Sequence, residues 1–503
     1  MSAKVFSAAV IGLDSELIEV EVDISSGLPN FLIVGLPDAA VQESRERVRS
    51  AIKNSGFDFP KTRVTVNLAP ADLKKVGPAY DLPIALSILI QRKVVDFDFY
   101  QKIFIGELAL DGSLRKVNGI LPIVLLAKQL AIGEVYLPVD NAKEASLVEG
   151  MKIFSVNNLK QLVGHFKRKP LDRYQPKQIK PPLLNYAHDF SRIRAQDHAK
   201  RALEIAAAGG HNVLLSGPPG SGKTLLAKSL PSILPILTND ESLQVTKIYS
   251  VSGLIRTDKP LISQRPFRSP HHTSSGVSLI GGGSFPKPGE ISLAHRGVLF
   301  LDELSEFPRK VLENLRQPLE DGIITVARAA GTVTYPAEFI LVAATNPCPC
   351  GFATDPEKEC VCTPAQIIKY QKKISGPLLD RIDLHVEVPR LSFQKITRDK
   401  RTESSDTIRQ RVEAARQIQK KRFADEKTIS NAEMDNRLIE KFCDLDKQCT
   451  QLLKKAVNQF FLSVRSYMRI LKMARTIADL ENSNKISITH IAEALQYRLK
   501  DYH

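Results

Sequence analysis

The stretch Asn212-Val213-Leu214-Leu215-Ser216-Gly217-Pro218-Pro219-Gly220-Ser221-Gly222-Lys223-Thr224 decides the fold. A short apolar strand is cut off by a glycine-rich loop, and the loop opens a helix from Leu225 to Leu230. Glycines let successive backbone N–H groups face phosphate oxygens, Lys223 neutralises the outer phosphates, and the Thr224 hydroxyl can hold Mg²⁺. Gly217, Pro218, Pro219, Gly220, Ser221, Gly222, Lys223 and Thr224 are therefore the expected nucleotide-binding residues. Two more apolar runs follow. Gly297-Val298-Leu299-Phe300-Leu301 ends in Asp302-Glu303, and Phe339-Ile340-Leu341-Val342-Ala343-Ala344 ends in Thr345-Asn346. Short buried strands alternating with helices predict an α/β core around a parallel sheet, whose carboxyl edge is where ligands of such sheets bind. At that edge Asp302 is placed to hold Mg²⁺ and Glu303 to polarise an attacking water.

Outward from this core the chain divides. Residues 1–165 mix strand-like runs such as Arg63 to Leu68 with helical ones such as Val41 to Ser55, which predicts a compact α+β domain. Residues 166–188 are basic and proline-punctuated and read as a linker; 189–393 form the nucleotide-binding core; 394–503 are helical, with many charges. Length agrees, since 503 residues at roughly 100 to 200 per domain give about two to four domains. With 43% hydrophobic and 25% charged residues, the composition excludes wholesale disorder. No run reaches the roughly 18 apolar residues of a membrane helix. The apolar run Val5 to Leu13 passes into the alternating Leu17-Ile18-Glu19-Val20-Glu21-Val22 without a cleavage site, so it reads as a strand and the protein as cytoplasmic. The net charge of +15, the basic linker and the basic stretch Arg398 to Arg422 suit contacts to nucleic-acid phosphates.

Cys348-Pro349-Cys350 and Cys360-Val361-Cys362 make four thiols from two pairs. Converging thiolates suit tetrahedral Zn²⁺, although usual pairs have two to four intervening residues and these have one; structural zinc and reduced thiols both stay open. His271 and His272 lack partners at zinc spacing and are expected to satisfy loop hydrogen bonds.

Taken together, the phosphate loop, Gly209-Gly210-His211-Asn212, Ser269-Pro270-His271-His272-Thr273, Asn346-Pro347-Cys348-Pro349-Cys350-Gly351, Ser375 to Asp383 and Ala474 to Leu480 resemble the AAA+ ATPases, and within them the magnesium-chelatase-related ComM/YifB family. The resemblance implies a homohexameric ring with ATP between subunits. It implies that Asn346 senses the γ-phosphate and that Arg381 is a finger reaching the neighbour's site, worth about 10³ to 10⁵ in rate when supplied in trans. Arg465 would be a second sensor, with Arg469 the other candidate. The segment Arg265 to Ala294, bearing Phe285 and Lys287, and the hairpin Ile323 to Tyr335, bearing Arg328, resemble pore-facing elements that would touch DNA.

Residues 1–165 resemble a Lon-protease-like domain. Ala79 stands at the nucleophile position and Pro122 or Ile123 at the lysine position, so neither the hydroxyl nor the amine base of such a protease is present. The function implied is an ATP-driven helicase acting on single-stranded or branched DNA. It would migrate branches during recombination of incoming DNA in natural transformation, alongside recombination proteins and away from membranes. The alternative is a chelatase-type motor that remodels a partner protein.

Overall fold

In the run Arg63 to Leu68 every second side chain is apolar, and the strand Arg63–Ala69 buries Val64, Val66 and Leu68 completely while Thr65 and Asn67 stay half-buried. Full burial of each such side chain is worth about 1.5 to 3 kcal/mol. The alternation fixes the register against Asp14–Ser25, because a one-residue slip would turn the apolar set outward. Asp14–Ser25 in turn pairs antiparallel with Ala3–Ile11, so the N-terminal apolar run is a strand, as expected.

The computed structural model describes residues 3–97, 99–167, 169–176, 186–283, 286–328, 331–391, 402–426 and 428–498. They fall into two units, 1–182 with 239–262, and 183–238 with 263–503.

The first unit is built on a seven-stranded mixed sheet in the order Asn30–Val34, Arg63–Ala69, Asp14–Ser25, Ala3–Ile11, Lys102–Phe104, Glu134–Pro138 and Lys152–Val156. Helix Asp81–Gln91 is buried from Asp81 to Leu89, and helix Ile120–Gln129 buries Ile120 to Val124. Asp81 has no exposed surface, and Arg47 closes on it with Nε 2.7 Å from Oδ2. Ala79 packs against the apolar cluster that contains Ile123. Helix Asn239–Val251, which comes from the middle of the stretch expected to form the ATPase core, completes this unit.

The second unit holds a five-stranded parallel sheet in the order Phe267–Arg268, Val298–Leu301, Ile340–Thr345, Val213–Ser216, Leu384–Glu387. The three inner strands are the three apolar runs of the sequence, and Val298–Leu301 and Ile340–Thr345 are buried along their whole length. Among the described residues no strand follows Glu387. Helices Ser405–Arg422, Asn436–Phe442, Lys447–Phe460, Val464–Leu480 and Ile488–Gln496 pack into one apolar cluster with the sheet. A buried polar network fastens these helices to the core. His211 Nε2 lies 2.8 Å from Thr476 Oγ1 and its Nδ1 3.3 Å from Asp383 Oδ2, while Asp479, fully buried, takes Arg422, Arg475 and Asn431.

Several arginines of the basic stretch have partners inside the protein. Residues 398–401 lie outside the described residues. Beyond them Arg411 binds Glu204 and Glu403, Arg416 the Ala207 carbonyl, Arg422 Asp479, and Arg409 Asp406. Arg411, Arg416 and Arg422 fasten helix Ser405–Arg422 to the rest of the unit, while Lys420 and Lys421 of the same stretch stay exposed. Among the described residues no helix is long and apolar enough to cross a membrane.

Candidate nucleotide site

Val213–Ser216 lies between Ile340–Thr345 and Leu384–Glu387, so its carboxyl end opens in the interior of the sheet edge, with the loop 217–222 above it and helix Lys223–Ser229 behind. Gly220 and Gly222 take left-handed φ values of 77° and 93°, which turn the chain sharply enough to enter the helix. Lys223 is almost wholly buried, and its Nζ donates to the carbonyls of Gly217 (2.6 Å) and Pro218 (3.0 Å) and to Asn346 Oδ1 (3.2 Å). Burial holds its ammonium below the usual lysine range, with nearby Asp302 opposing that shift. The Thr224 hydroxyl donates to Asp302 Oδ2 at 2.9 Å. Glu303 sits at φ 52°, its N–H donating to Asp302 Oδ1 at 3.0 Å. Sequence motifs some 80 to 120 residues apart therefore meet in one cluster: Lys223 with Asn346, and Thr224 with Asp302.

The residues fit a nucleotide with its metal. Ser221 Oγ is buried in the loop and has no hydrogen-bond partner among the described residues. A hydroxyl beside a carboxylate is the hard oxygen donor pair that Mg²⁺ prefers. A cavity of about 960 Å³, lined in part by Gly217, Thr345, Asn346 and Tyr370, adjoins the start of the loop.

His272, read from the sequence as a loop residue, brings Nδ1 within 3.3 Å of Glu303 Oε2, while His271 bonds Thr273 as expected of a loop histidine. Arg381 and Arg465 meet neither the loop nor the two acids. Both guanidinium groups close on one carboxylate, Glu320. Arg381, with Arg465 behind it, holds the Glu320 carboxyl below its usual range. Arg469 turns to the Ile382 carbonyl and Asp380 instead. Glu320 escaped the sequence reading because Arg-Gln-Pro-Leu-Glu-Asp carries no motif; only the fold brings it to two arginines that lie 61 and 145 positions further along.

Lys287 is exposed in the strand Lys287–Pro288, paired with Gly281–Gly282. Phe285 lies outside the described residues. Arg328 ends the strand Ile323–Arg328 opposite Gly331, and its side chain is likewise outside the described part. The four cysteine sulfurs, from Cys348, Cys350, Cys360 and Cys362, all lie within 4.8 Å of one another.

Comparison with known proteins agrees with this geometry. Residues 189–396 match the family described as magnesium chelatase, subunit ChlI, residues 20–141 match subunit ChlI of Mg-chelatase, and residues 402–498 match its C-terminal part. The chain is 45% identical to competence protein ComM of Haemophilus influenzae, covering 99% of this chain and 97% of that protein, and 43% identical to YifB of Escherichia coli with the same coverage. The magnesium-chelatase 38 kDa subunit of Cereibacter sphaeroides is 26% identical over 31% of this chain and 52% of its own length. Similarity of that depth over the whole length, with a phosphate loop closed on the matching acids and asparagine, shows that the chain belongs to the ComM/YifB family of magnesium-chelatase-like AAA+ ATPases.

Proposed function

We propose that this protein is an ATP-driven DNA motor of the cytoplasm that works as a hexameric ring and promotes branch migration when incoming DNA is recombined. One observation carries the reading: a complete phosphate-loop site, Lys223 on Asn346 and Thr224 on Asp302, in a chain that matches a competence protein from end to end. ATP supplies the energy and Mg²⁺ offsets the phosphate charge. Lys223 would exchange its bonds to the Gly217 and Pro218 carbonyls for phosphate oxygens, and Thr224 and Asp302 would hold the metal. Glu303 takes the proton of the attacking water, and His272, in contact with its carboxylate, orients it. Asn346 links the loop to the end of the sensor strand.

Arg381 serves the neighbouring subunit's site. Arg465 acts with it and not at its own loop, because Glu320 gathers both on one carboxylate. Lys287, Phe285 and Arg328 contact DNA. The N-terminal unit is a scaffold: with Ala79 at the nucleophile position and Pro122 or Ile123 at the lysine position of a serine–lysine dyad, purified protein is expected to leave casein intact.

The similarity to magnesium-chelatase subunits, which extends into the N-terminal unit at residues 20–141, favours a second reading, the remodelling of a partner protein, but the chelatase subunit of Cereibacter sphaeroides matches only 31% of the chain at 26% identity, against 99% at 45% for the competence protein. ATP turnover measured with forked DNA, and branch migration of a labelled four-way junction, separate the two. Turnover is expected to rise with DNA and the junction to be resolved only with ATP. Turnover indifferent to DNA, in protein whose Lys223→Ala variant is inactive, rejects the DNA motor.

A further inference from the structure

The cysteine cluster stands apart from the chemistry above, yet it is built into the same site. Cys348 Sγ lies 3.3 Å from Cys350 Sγ and 3.6 Å from Cys360 Sγ, and Cys350 and Cys360 are 3.5 Å apart. Disulfide sulfurs are about 2.05 Å apart, so these are separate thiols. Tetrahedral Zn–S bonds of about 2.3 Å place ligand sulfurs roughly 3.8 Å apart, close to what is seen.

The loop between the pairs is organised independently. Asp355 Oδ1 accepts the N–H groups of Glu357 (2.9 Å) and Lys358 (3.2 Å), and Arg390, just beyond the strand Leu384–Glu387, approaches Asp355 at 3.5 Å. The donor set is sulfur alone, with Cys348 buried, which favours Zn²⁺ over hard cations.

We propose that Cys348, Cys350, Cys360 and Cys362 form a structural Zn²⁺ site that braces the nucleotide site. Two features join them. Asn346, which receives the Lys223 ammonium, precedes the first ligand by two residues, so fixing Cys348 fixes Asn346. Gly351, beside the second ligand, rests on the phosphate loop: a Cβ there would come within 2.6 Å of Pro219 Cδ, at a left-handed φ of 86°. On binding, each of the four thiols gives its proton to solvent and each sulfur gives an electron pair to the metal. The bracing role rests on the nucleotide-site reading; the metal site does not.

Metal analysis of full-length protein purified without chelator is expected to find about one zinc per chain. Cobalt exchanged for it should show the thiolate charge-transfer and d–d bands of a tetrahedral sulfur site, and Cys360→Ser should lose both. Zinc-free protein that gives no such cobalt spectrum overturns the site, whatever happens to ATP or DNA. For the brace, the readout is the affinity of a fluorescent ATP analogue. Stripping the zinc should weaken binding by about 10-fold or more, and Gly351→Ala should weaken it with the zinc retained. Affinity unchanged in both overturns the brace, and wild-type protein that binds zinc but no analogue refutes the nucleotide reading instead.

Discussion

Lys223, Thr224, Asp302 and Asn346 were legible as individual residues because each ends or follows an apolar strand, and the strands themselves are local signals. Their partners were not, because Glu320 and His272 acquire meaning only where the fold sets them. Glu320 holds Arg381, whose guanidinium is largely buried and whose Nε has no partner among the described residues, together with Arg465. Glu320→Gln removes the charge that aims both arginines. It should lower kcat about 10-fold with KM for ATP unchanged, against a loss of about 10³ for Arg381→Ala; a normal kcat refutes the positioning role. His295 is a second residue whose state the fold imposes. It is 2% exposed, its Nδ1 accepts the Glu338 N–H at 3.2 Å, and burial beside Arg296 and Arg265 pushes its pKa down to about 3 from 6.5. Between those values the unfolded chain binds the proton and the folded chain does not, so stability falls as pH drops below about 6.5 and the loss continues toward pH 3. At about pH 5 the deficit attributable to this ring is of order 2 kcal/mol. Urea unfolding of wild type and His295→Gln between about pH 7 and 5 checks it: the wild type should lose more stability than the variant.

At the scale of elements, the strands that alternate or run wholly apolar were readable, and the hairpin Ile323–Arg328 with Gly331–Pro336 fell where the sequence placed it. The two outer strands of the parallel sheet were missed, since Phe267–Arg268 is two residues long and only half-buried, and Leu384–Glu387 buries only alternate side chains. Charge alone does not disclose which basic side chains are already paired. On the basic helix Ser405–Arg422, Glu204 and Glu403 take up Arg411 and Asp479 takes up Arg422, while Lys420 and Lys421 stay exposed. Elements also couple in a way no pattern discloses. The fully buried Tyr335, on the returning strand of the hairpin, donates its hydroxyl to the Pro286 carbonyl at 2.6 Å, next to Lys287. The hairpin of Arg328 and the segment of Lys287 are thereby tied to one another. Tyr335→Phe keeps the ring's packing and deletes this bond, at a stability cost of about 1 kcal/mol. If both segments grip DNA as one device, the variant should retain ATP turnover without DNA and lose much of its stimulation by forked DNA. Full stimulation would mean that the two act independently.

For the whole molecule, the telling feature is that the first unit is not a continuous stretch of sequence. The chain forms the phosphate loop and helix Lys223–Ser229, then contributes residues 239–262 to the N-terminal unit, then returns to the sheet. No sequence signal marks this excursion, since helix Asn239–Val251 buries a mostly polar face, Ser242, Thr246 and Ser250 beside Val245 and Ile248, and its partners lie some 100 to 230 residues earlier. Inside the unit the contacts are specific. Buried Glu144 accepts from Ser250 Oγ at 2.5 Å and from the Leu121 N–H at 3.2 Å, the Gly119 N–H meets the Ser250 carbonyl at 3.1 Å, and Lys116 Nζ meets the Ile255 carbonyl at 2.6 Å. A fragment ending at residue 182 would leave Glu144 without its hydroxyl partner, and the backbone N–H of Gly119 without its acceptor. At about 0.5 to 1.5 kcal/mol net for each hydrogen bond lost, these contacts are a sizeable fraction of the roughly 5 to 15 kcal/mol that holds a domain folded. The fragment 1–182 should therefore unfold at lower urea than the same fragment with residues 239–262 joined by a flexible linker. Ser250→Ala should remove about 1 to 3 kcal/mol of the difference, since it deletes one of these bonds. Equal midpoints for the two fragments would make the excursion a passenger. A clear gap would mean that residues 239–262, inserted between the phosphate-loop helix and the rest of the sheet, are an integral part of the N-terminal fold.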